Sequence, residues 1–272
     1  FLFMPDLFAY FLCGAKTAEQ TIASTSQMLD LENIKWQEKV FEITEKDKKI
    51  LPPIVKSATI AGEYKGIKVI KVAGHDTQCA VCAMPAAENE TSAFLSCGTW
   101  SLIGCENDKP ILSEAFEYFI DPDDESFATP KNMPEKICAY CEKTGQGKPE
   151  SDGAMTRCIY ESLALKYRYA IEQLSAVTGR AFTTLHVLGG GTKDRLLCQM
   201  TADCCGLTVK AGPVEATALG NIMIQLKALG LLDSITQGRR LIAETEVIKT
   251  YTPSTQNYAE WNAAYDRFKT LL

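Results

Sequence analysis

The spacing of apolar residues predicts one long helix in the second half of the chain. Over residues 154–177 the apolar side chains recur every three or four positions and so share one face of an α-helix. They are Ile159, Leu163, Tyr167, Ala170, Ile171 and Leu174. Thr178-Gly179 follows directly, and glycine is common just past the end of a helix. We therefore expect this helix to end at Gly179.

Alternating and β-branched runs predict strands that lead into glycine turns. Residues 66–73 form such a run, and Gly74-His75-Asp76 follows at its carboxyl end. Residues 93–104 form two apolar runs split by Gly98-Thr99, which is typical of a β-hairpin with a tight turn. Further on, the pattern predicts strand 183–188, turn 189–191, helix 195–205, strand 207–209 and helix 215–229. This alternation indicates an α/β architecture.

Shorter patterns predict the remaining helices. The first twelve residues predict a helix that turns at Cys13-Gly14. Trp36, Val40 and Phe41 fall at helical spacing, and Pro52-Pro53 ends that unit. Short helices are also predicted over residues 78–84 and 134–142.

The charge balance argues against a polyanionic partner. The 272 residues include 34 acidic and 28 basic side chains, so the formal net charge is -6. No general attraction to nucleic acid or anionic lipid follows from this balance, and we expect a small-molecule partner. The apolar run over residues 1–12 contains Pro5 and Asp6 and is shorter than the roughly 20 residues of a membrane-spanning helix. We expect neither a membrane span nor a signal peptide there.

Eleven cysteines without a secretion signal predict a reducing, cytoplasmic environment. The pairs Cys79/Cys82 and Cys138/Cys141 have the spacing of zinc ligands, but more than fifty residues separate them. We therefore favour buried free thiols over a zinc site. Cys141 and Cys158 flank a loop rich in glycine and proline, so a disulfide between them is an open alternative.

A glycine-rich turn offers one candidate phosphate site. Residues 187–194 read VLGGGTKD, and a glycine turn that opens onto a helix can hydrogen-bond phosphate oxygens through its backbone amides. The segment matches neither the GxGxxG nor the Walker A pattern. An ordinary structural turn is the equal alternative. The hairpin tip Gly98-Thr99 is a second candidate, because its amides and hydroxyl can donate together.

Asp76 is the candidate acid with the most informative position. A carboxylate that follows a strand in an α/β protein is placed to act on a ligand at the sheet edge. Alternatively, Asp76 caps the short helix that begins at Thr77. His186 lies within a predicted strand, so we expect it in the core rather than in catalysis. No triad pairing with an oxyanion turn emerges, which disfavours a hydrolase.

Six segments, in a consistent order, resemble the FGGY family of sugar kinases. They are MPDLFAYFLCG at 4–14, TIASTSQMLD at 21–30, AGHDTQCAV at 73–81, SCGTWSLIG at 96–104, LGGGTKDRLLCQMTAD at 188–203 and AGPVEATALGN at 211–221. The resemblance extends from residue 2 to about residue 253. It implies an actin-like, ribonuclease H-like α/β fold of two domains, the first incomplete, with ATP and sugar in the cleft between them.

The resemblance also implies an activity and its residues. It implies ATP-dependent phosphorylation of a ketose, with Mg²⁺ bridging the ATP phosphates, in a monomer or weak homodimer. L-Rhamnulose, phosphorylated at its 1-hydroxyl, is the first expected substrate; fuculose, xylulose and a catalytically silent nucleotide-binding protein are the alternatives. By this analogy Asp76 is the catalytic base, and His75, Asp76 and Thr77 contact the sugar. The implied ATP contacts are Gly98, Thr99, Gly189, Gly190 and Gly191. A branched side chain at Gly190 should fill ligand space and disfavour a positive φ.

The resemblance divides the chain and exposes departures from the family. Residues 1–90 correspond to the later part of the sugar-binding N-terminal domain, and residues 91–272 to the nucleotide-binding C-terminal domain, with a linker over residues 84–93. The family's first phosphate-binding hairpin has no counterpart here, so we expect the chain to begin inside the first domain. A family segment is also missing between Phe119 and Ile120. Asp194 stands where relatives commonly carry Asn, which places a carboxylate near the expected nucleotide.

Overall fold

The computed structural model describes residues 1–44, 47–88, 90–98, 101–107, 127, 131–254 and 256–272. The part up to residue 82 alternates helices with short strands. The helices are α1 (Met4–Cys13), α2 (Gln20–Ser24), α3 (Glu38–Thr44) and α4 (Asp76–Cys82). The strands are β1 (Ala18–Glu19), β2 (Leu29–Asp30), β3 (Lys35–Trp36), β4 (Ile54–Val55), β5 (Thr59–Tyr64) and β6 (Ile67–Lys71).

The described short strands form separate two-stranded sheets, and the β5–β6 sheet carries a buried ion pair. β1 and β4 are parallel, whereas β2 with β3 and β5 with β6 are antiparallel. Helix α1 packs on the β5–β6 hairpin, where Lys71 Nζ lies 2.7 Å from the carboxylate of Asp6. Both side chains are buried. Burial raises the pKa of Asp6, and the Lys71 ammonium opposes that rise. Removing either residue would leave the charge of the other buried and uncompensated, which would destabilise the fold.

The second part of the chain is built on one mixed sheet of five strands in the order β11-β10-β9-β7-β8. The strands are β7 (Ser92–Cys97), β8 (Ser101–Gly104), β9 (Thr184–Leu188), β10 (Thr208–Ala211) and β11 (Lys249–Tyr251). The three central strands are parallel, and β8 and β11 are antiparallel edges. The centre of the sheet is therefore the parallel part, which has to be covered on both faces.

Helices cover both faces of this sheet. The helices of this part of the chain are α5 (Met133–Lys143), α6 (Asp152–Thr178), α7 (Arg195–Cys205), α8 (Ala216–Ala228), α9 (Ile235–Thr245) and α10 (Tyr258–Lys269). Of these, α6 and α7 lie on one face of the sheet and α8 and α9 on the other. On one face Leu95, Leu185 and Val209 pack against α6 and α7. On the other, Leu188 packs against α4, α8 and α9. The alternation of inward and outward side chains along the strands creates two separate cores.

Most predicted elements are confirmed, and the differences concern where a short helix begins and which element Trp36 joins. The long helix runs over Asp152–Thr178 and ends at Gly179 with φ 66°, as predicted. The predicted helix over residues 78–84 begins earlier, at Asp76. Trp36 does not join the helix that follows it; it lies in β3, and its indole N–H donates to the Pro52 carbonyl at 2.9 Å. That tertiary bond and the pairing with β2 outweigh the helical spacing.

The cysteines are free thiols. All eleven are unpaired, including Cys141 and Cys158, whose thiols lie close enough to interact. Burial, reinforced by Cys158, raises the pKa of Cys141 to about 11. Within the described ranges, no three His, Cys, Asp or Glu side chains are grouped so that they could hold a metal ion. No described helix has the length and apolar character needed to cross a membrane.

Candidate active site

The two predicted phosphate-binding turns follow the carboxyl ends of two neighbouring parallel strands, β7 and β9. β7 and β9 run parallel, with Ser96 aligned to Leu188. The hairpin turn that starts at Gly98 therefore lies beside the turn that starts at Gly189. Ligands of open α/β sheets bind outside the carboxyl ends of such strands. Thr99 and Trp100, which follow Gly98, lie outside the described residues.

The glycine turn is packed tightly against β7, and its three glycines are not equivalent. Gly189 has φ +87°, and a Cβ there would lie 3.1 Å from the Cys97 carbonyl oxygen. A Cβ at Gly191 would lie 2.3 Å from Cys97 Sγ, which leaves no room for a side chain. A Cβ at Gly190 would lie 3.9 Å from the Cys97 carbonyl oxygen, its nearest neighbour, and Gly190 has no positive φ. The expectation of a positive φ at Gly190 is therefore wrong, because Gly189 makes the left-handed turn.

The same turn continues into a 3-10 helix over Gly190–Lys193 and then into α7. Asp194 joins the two helices: its Oδ1 accepts the Leu197 amide at 3.0 Å and caps α7. Its Oδ2 accepts a short hydrogen bond from the Tyr160 hydroxyl of α6, which raises the pKa of Tyr160. Both carboxylate oxygens thus have protein partners, so this carboxylate stabilises the connection from the glycine turn to α7.

Asp76 lies at the start of α4, beyond the end of β6. The residue that caps this helix is His75, whose Nδ1 accepts the Thr77 amide at 3.2 Å. Asp76 is the first residue of the helix, and its Oδ1 accepts the same amide at 2.7 Å. The alternative that Asp76 is the cap is thus corrected. The Asp76 side chain is 82% exposed, so its carboxylate is open to a ligand, whereas Thr77 is buried.

Helix α4 connects Asp76 to the edge of the sheet. Ala80 in α4 shares a buried cluster with Leu188, the residue that precedes the glycine turn. α4 also crosses α8 at very short range, because a Cβ at Gly220 would lie 1.7 Å from the Cys79 carbonyl oxygen. The position of α4 is therefore set by backbone contact with α8.

Arg239 of α9 fixes the other end of α4. Its guanidinium donates to the carbonyl of Cys82 at 3.2 Å and to that of Val81 at 3.0 Å. These carbonyls lie in the last turn of α4, at the negative end of the helix dipole, where a cation is favourable. The same guanidinium donates to Glu106 Oε1 at 2.7 Å, just beyond β8. The helix that carries Asp76 and the hairpin that carries Gly98 are thus attached to one side chain.

The fold is that of known sugar kinases. The structure aligns with a ligand-bound xylulose kinase from Lactobacillus acidophilus with a TM-score of 0.73 and 14% sequence identity, over 99% of this chain and 66% of that one. The FGGY N-terminal domain pattern matches residues 1–93, and the FGGY C-terminal domain pattern matches residues 112–229. The sequence is also 37% identical to a rhamnulokinase from Bacteroides thetaiotaomicron, over 100% of this chain and 68% of that protein. The chain belongs to the FGGY family of carbohydrate kinases.

A second relative agrees with this assignment. A rhamnulokinase from Enterobacter sp. is 32% identical over 98% of this chain and 66% of its own length. The FGGY chain thus spans about two thirds of the length of these relatives. The expected family and the actin-like, ribonuclease H-like fold are confirmed. The domain boundary after residue 90 and the roles of the site residues stay predictions.

The predicted site residues of this FGGY chain fall into two groups. Gly98 and the three glycines at 189–191 lie together at the sheet edge, whereas His75, Asp76 and Thr77 form the start of α4. Sequence reasoning missed the side chains that hold these groups, among them Glu19 and Arg239. Each makes contacts with residues more than fifty positions away, and no local pattern signals such contacts.

Proposed function

We propose that this protein phosphorylates a ketose with ATP, and that the ketose is L-rhamnulose, modified at its primary 1-hydroxyl. The observation that carries the substrate is the 37% identity to a rhamnulokinase along the whole of this chain. Support for the chemistry comes from the exposed carboxylate of Asp76 and from the paired turns at the carboxyl edge of the sheet. Fuculose and xylulose are the alternative ketose substrates, and the substrate experiment below compares them with L-rhamnulose.

In the proposed reaction Asp76 is the base. The 1-hydroxyl oxygen of the sugar forms a bond to the γ-phosphorus of ATP while the bond from that phosphorus to the bridging oxygen of ADP breaks. The hydroxyl proton passes to the Asp76 carboxylate. Phosphoryl transfer through a loose transition state needs positioning and charge stabilisation more than covalent help from the protein, so one base is sufficient. His75 and Thr77 are proposed as further sugar contacts.

The phosphates of ATP are assigned to the two turns. Gly98 and the glycine turn that starts at Gly189 offer backbone amides at one sheet edge, and the absence of a Cβ at Gly190 leaves room for the nucleotide. Mg²⁺ would come with ATP as part of the nucleotide substrate and would neutralise part of the charge on its phosphates. A role for the Thr99 hydroxyl on a phosphate stays a prediction. A Thr99→Val variant should lose about tenfold or more in rate if the hydroxyl bonds a charged oxygen.

The catalytic assignment is tested by Asp76→Asn. We expect kcat to fall by about a hundredfold or more while KM for ATP changes little, because the amide cannot accept the proton. Asp266→Asn is the matched control, since Asp266 is an exposed helical carboxylate of α10 paired with Lys269 at 3.0 Å. Near-normal turnover of Asp76→Asn would leave that residue with a structural role alone.

The substrate is tested by measuring ADP release with L-rhamnulose, L-fuculose and D-xylulose at equal concentrations. The highest kcat/KM with L-rhamnulose supports the proposal, and a clear preference for another ketose replaces the substrate but keeps the reaction. If the protein binds ATP but releases no ADP with any of the three ketoses, a catalytically silent nucleotide-binding protein is favoured.

We also propose that the regions 1–90 and 91–272 close on their ligands, since Asp76 and the phosphate turns belong to different regions. Near its end, the proposed linker over residues 84–93 is bound to the second region through Glu90. Glu90 accepts from His186 Nε2 and from Lys210 Nζ, both at 2.7 Å, so movement has to occur before Glu90. Because α4 is in backbone contact with α8, the proposed movement is a rotation about that contact. Asn89 lies outside the described residues. A smaller radius of gyration in X-ray scattering, on adding ketose and a non-hydrolysable ATP analogue together, supports closure; an unchanged radius contradicts it.

A further inference from the structure

The buried carboxylate of Glu19 joins segments that are distant in the sequence. It is 1% exposed. Its Oε2 accepts from the amides of Thr21 at 2.9 Å, Ile22 at 3.3 Å and Gly74 at 2.9 Å, and from the Thr21 hydroxyl at 2.6 Å. Its Oε1 accepts from the Ser57 hydroxyl at 2.6 Å. This single side chain therefore holds the start of α2, the segment before β5 and the segment after β6.

The segment after β6 carries the proposed base. Gly74 precedes Asp76 by two residues, and its amide bond to Glu19 is direct. A Cβ at Gly74 would lie 2.8 Å from Ile22 Cβ and 3.3 Å from Glu19 Oε2, so this close approach requires glycine. The next amide, that of His75, donates to the Thr21 hydroxyl at 3.3 Å. Two consecutive amides ahead of Asp76 are thus held by Glu19 and by a hydroxyl bonded to Glu19.

The side chain of Asp76 has little else to orient it. It is 82% exposed, and within the described part of the chain it contacts the Thr77 amide at 2.7 Å and His75 Nδ1 at 3.5 Å, both in its own turn. The direction of its carboxylate therefore follows the backbone of residues 74–77. Any movement of that backbone moves the proposed base relative to the sugar hydroxyl.

The backbone of Glu19 is itself held by the buried ion pair of Asp6 and Lys71. Its amide donates to Asp6 Oδ1 at 3.2 Å, and the same oxygen accepts from Lys71 Nζ at 2.7 Å. Lys71 also donates to the Thr17 carbonyl at 3.2 Å and is the last residue of β6. The buried ion pair thus anchors both β6 and the residue that holds the segment after it.

The geometry points to Glu19 as a positioning residue for the phosphoryl transfer, acting through the Gly74–His75 backbone on the Asp76 carboxylate. This inference rests on the proposed function, because it takes Asp76 as the base. A misplacement of about 1 Å at a reacting group can lower a rate by up to a hundredfold. Loss of the Glu19 carboxylate should therefore reduce kcat without removing any atom that touches the substrate.

The test compares three substitutions in the whole protein. Glu19→Ala should lower kcat about tenfold or more with little change in KM for ATP. Glu19→Gln should restore most of the rate, because its carbonyl oxygen can replace Oε2 and its amide can donate to the Ser57 hydroxyl, which can turn to accept. Thr21→Val keeps the side-chain volume, removes the hydroxyl that holds the His75 amide, and should also lower kcat.

Thr25→Val is the matched control, because the Thr25 hydroxyl is exposed and, among the residues that the structure describes, bonds only to the Ile22 carbonyl, at 2.7 Å. Folding of each variant is checked by circular dichroism and thermal unfolding. If Thr21→Val and folded Glu19→Ala both keep the kcat of Thr25→Val, the inference is overturned. If Glu19→Ala does not fold, the comparison of Thr21→Val with Thr25→Val decides.

A double-mutant cycle separates positioning from general structural damage. In an Asp76→Asn background Glu19→Ala should cause little further loss of kcat, because the base on which it acts is gone. An equal loss in both backgrounds would assign Glu19 a structural role and overturn the inference. Full turnover in Asp76→Asn alone would instead overturn the assignment of Asp76 as the base, and no ADP release by the unmodified protein with any ketose would overturn the proposed function, so these failures are distinguishable.

Discussion

Gly220 is the position where one added carbon atom should test how α4 and α8 are held together. In Gly220→Ala the new Cβ would lie 1.7 Å from the carbonyl oxygen of Cys79 and 2.5 Å from its carbonyl carbon. Favourable contacts between such atoms begin at about 3.5 Å, so the two helices have to separate by roughly 2 Å. The obstacle is backbone, which cannot move aside by changing a rotamer.

The cost can be worked from this geometry. Overpacking of a core costs about 1–3 kcal/mol, and the rigid neighbour places this case at the upper end. Replacing glycine by alanine inside a helix stabilises the helix by about 1 kcal/mol, which offsets part of this loss. We therefore expect a net loss of about 2 kcal/mol, which corresponds to a fall of roughly 4–8 °C in Tm for a chain of this size. Because α4 begins at Asp76, kcat should fall about tenfold or more as well.

Gly153→Ala is the control, measured by the same thermal and chemical unfolding. Gly153 lies in the first turn of α6, and its Cβ would meet only Ser151 Oγ, at 3.9 Å. This variant should gain about 0.4–1 kcal/mol, since the unfolded chain loses conformational freedom and the added Cβ makes no clash. If Gly220→Ala is as stable and as active as Gly153→Ala, the close crossing of α4 and α8 does not exist in solution.

Three further predictions follow from local contacts. Gly190→Ala should leave Tm unchanged and weaken nucleotide binding measured by calorimetry, because the protein has room for the Cβ and the ligand does not; unchanged affinity would remove Gly190 from the site. Burial alone would raise the pKa of Glu90, but its histidine and lysine partners lower it to about 2 from 4.5. The stability contributed by Glu90 is therefore present above pH 4.5 and lost as the pH falls towards 2. In Glu90→Gln, the loss of stability between these pH values in denaturant titrations should be smaller, and an identical pH dependence would contradict this. Tyr160→Phe should cost about 1–2 kcal/mol in urea unfolding by removing the donor to Asp194, and a neutral result would show that the bond contributes nothing.

The sequence by itself determined the elements and the positions of the candidate motifs. The period of apolar residues predicted α6, and Gly179 marked its end, because burial of one helix face and a left-handed residue are local requirements. The β7–β8 hairpin and the glycine turn were predicted for the same reason. Asp76 could be singled out because a strand pattern ends just before Gly74. The family followed from six short segments whose order is visible without any structure.

The tertiary structure decided which residues hold these motifs in place. The sequence cannot show that Glu19 accepts the Gly74 amide, because the two are 55 positions apart and only the fold brings them to 2.9 Å. It also could not tell the three glycines of the turn apart, since their differences come from the atoms of Cys97 on a neighbouring strand. Local patterns report whether a position is buried or turned. The partner of a buried polar group depends on chain segments that meet only when the whole domain folds, because leaving such a group unpaired costs about 1–3 kcal/mol and the fold has to supply its partner.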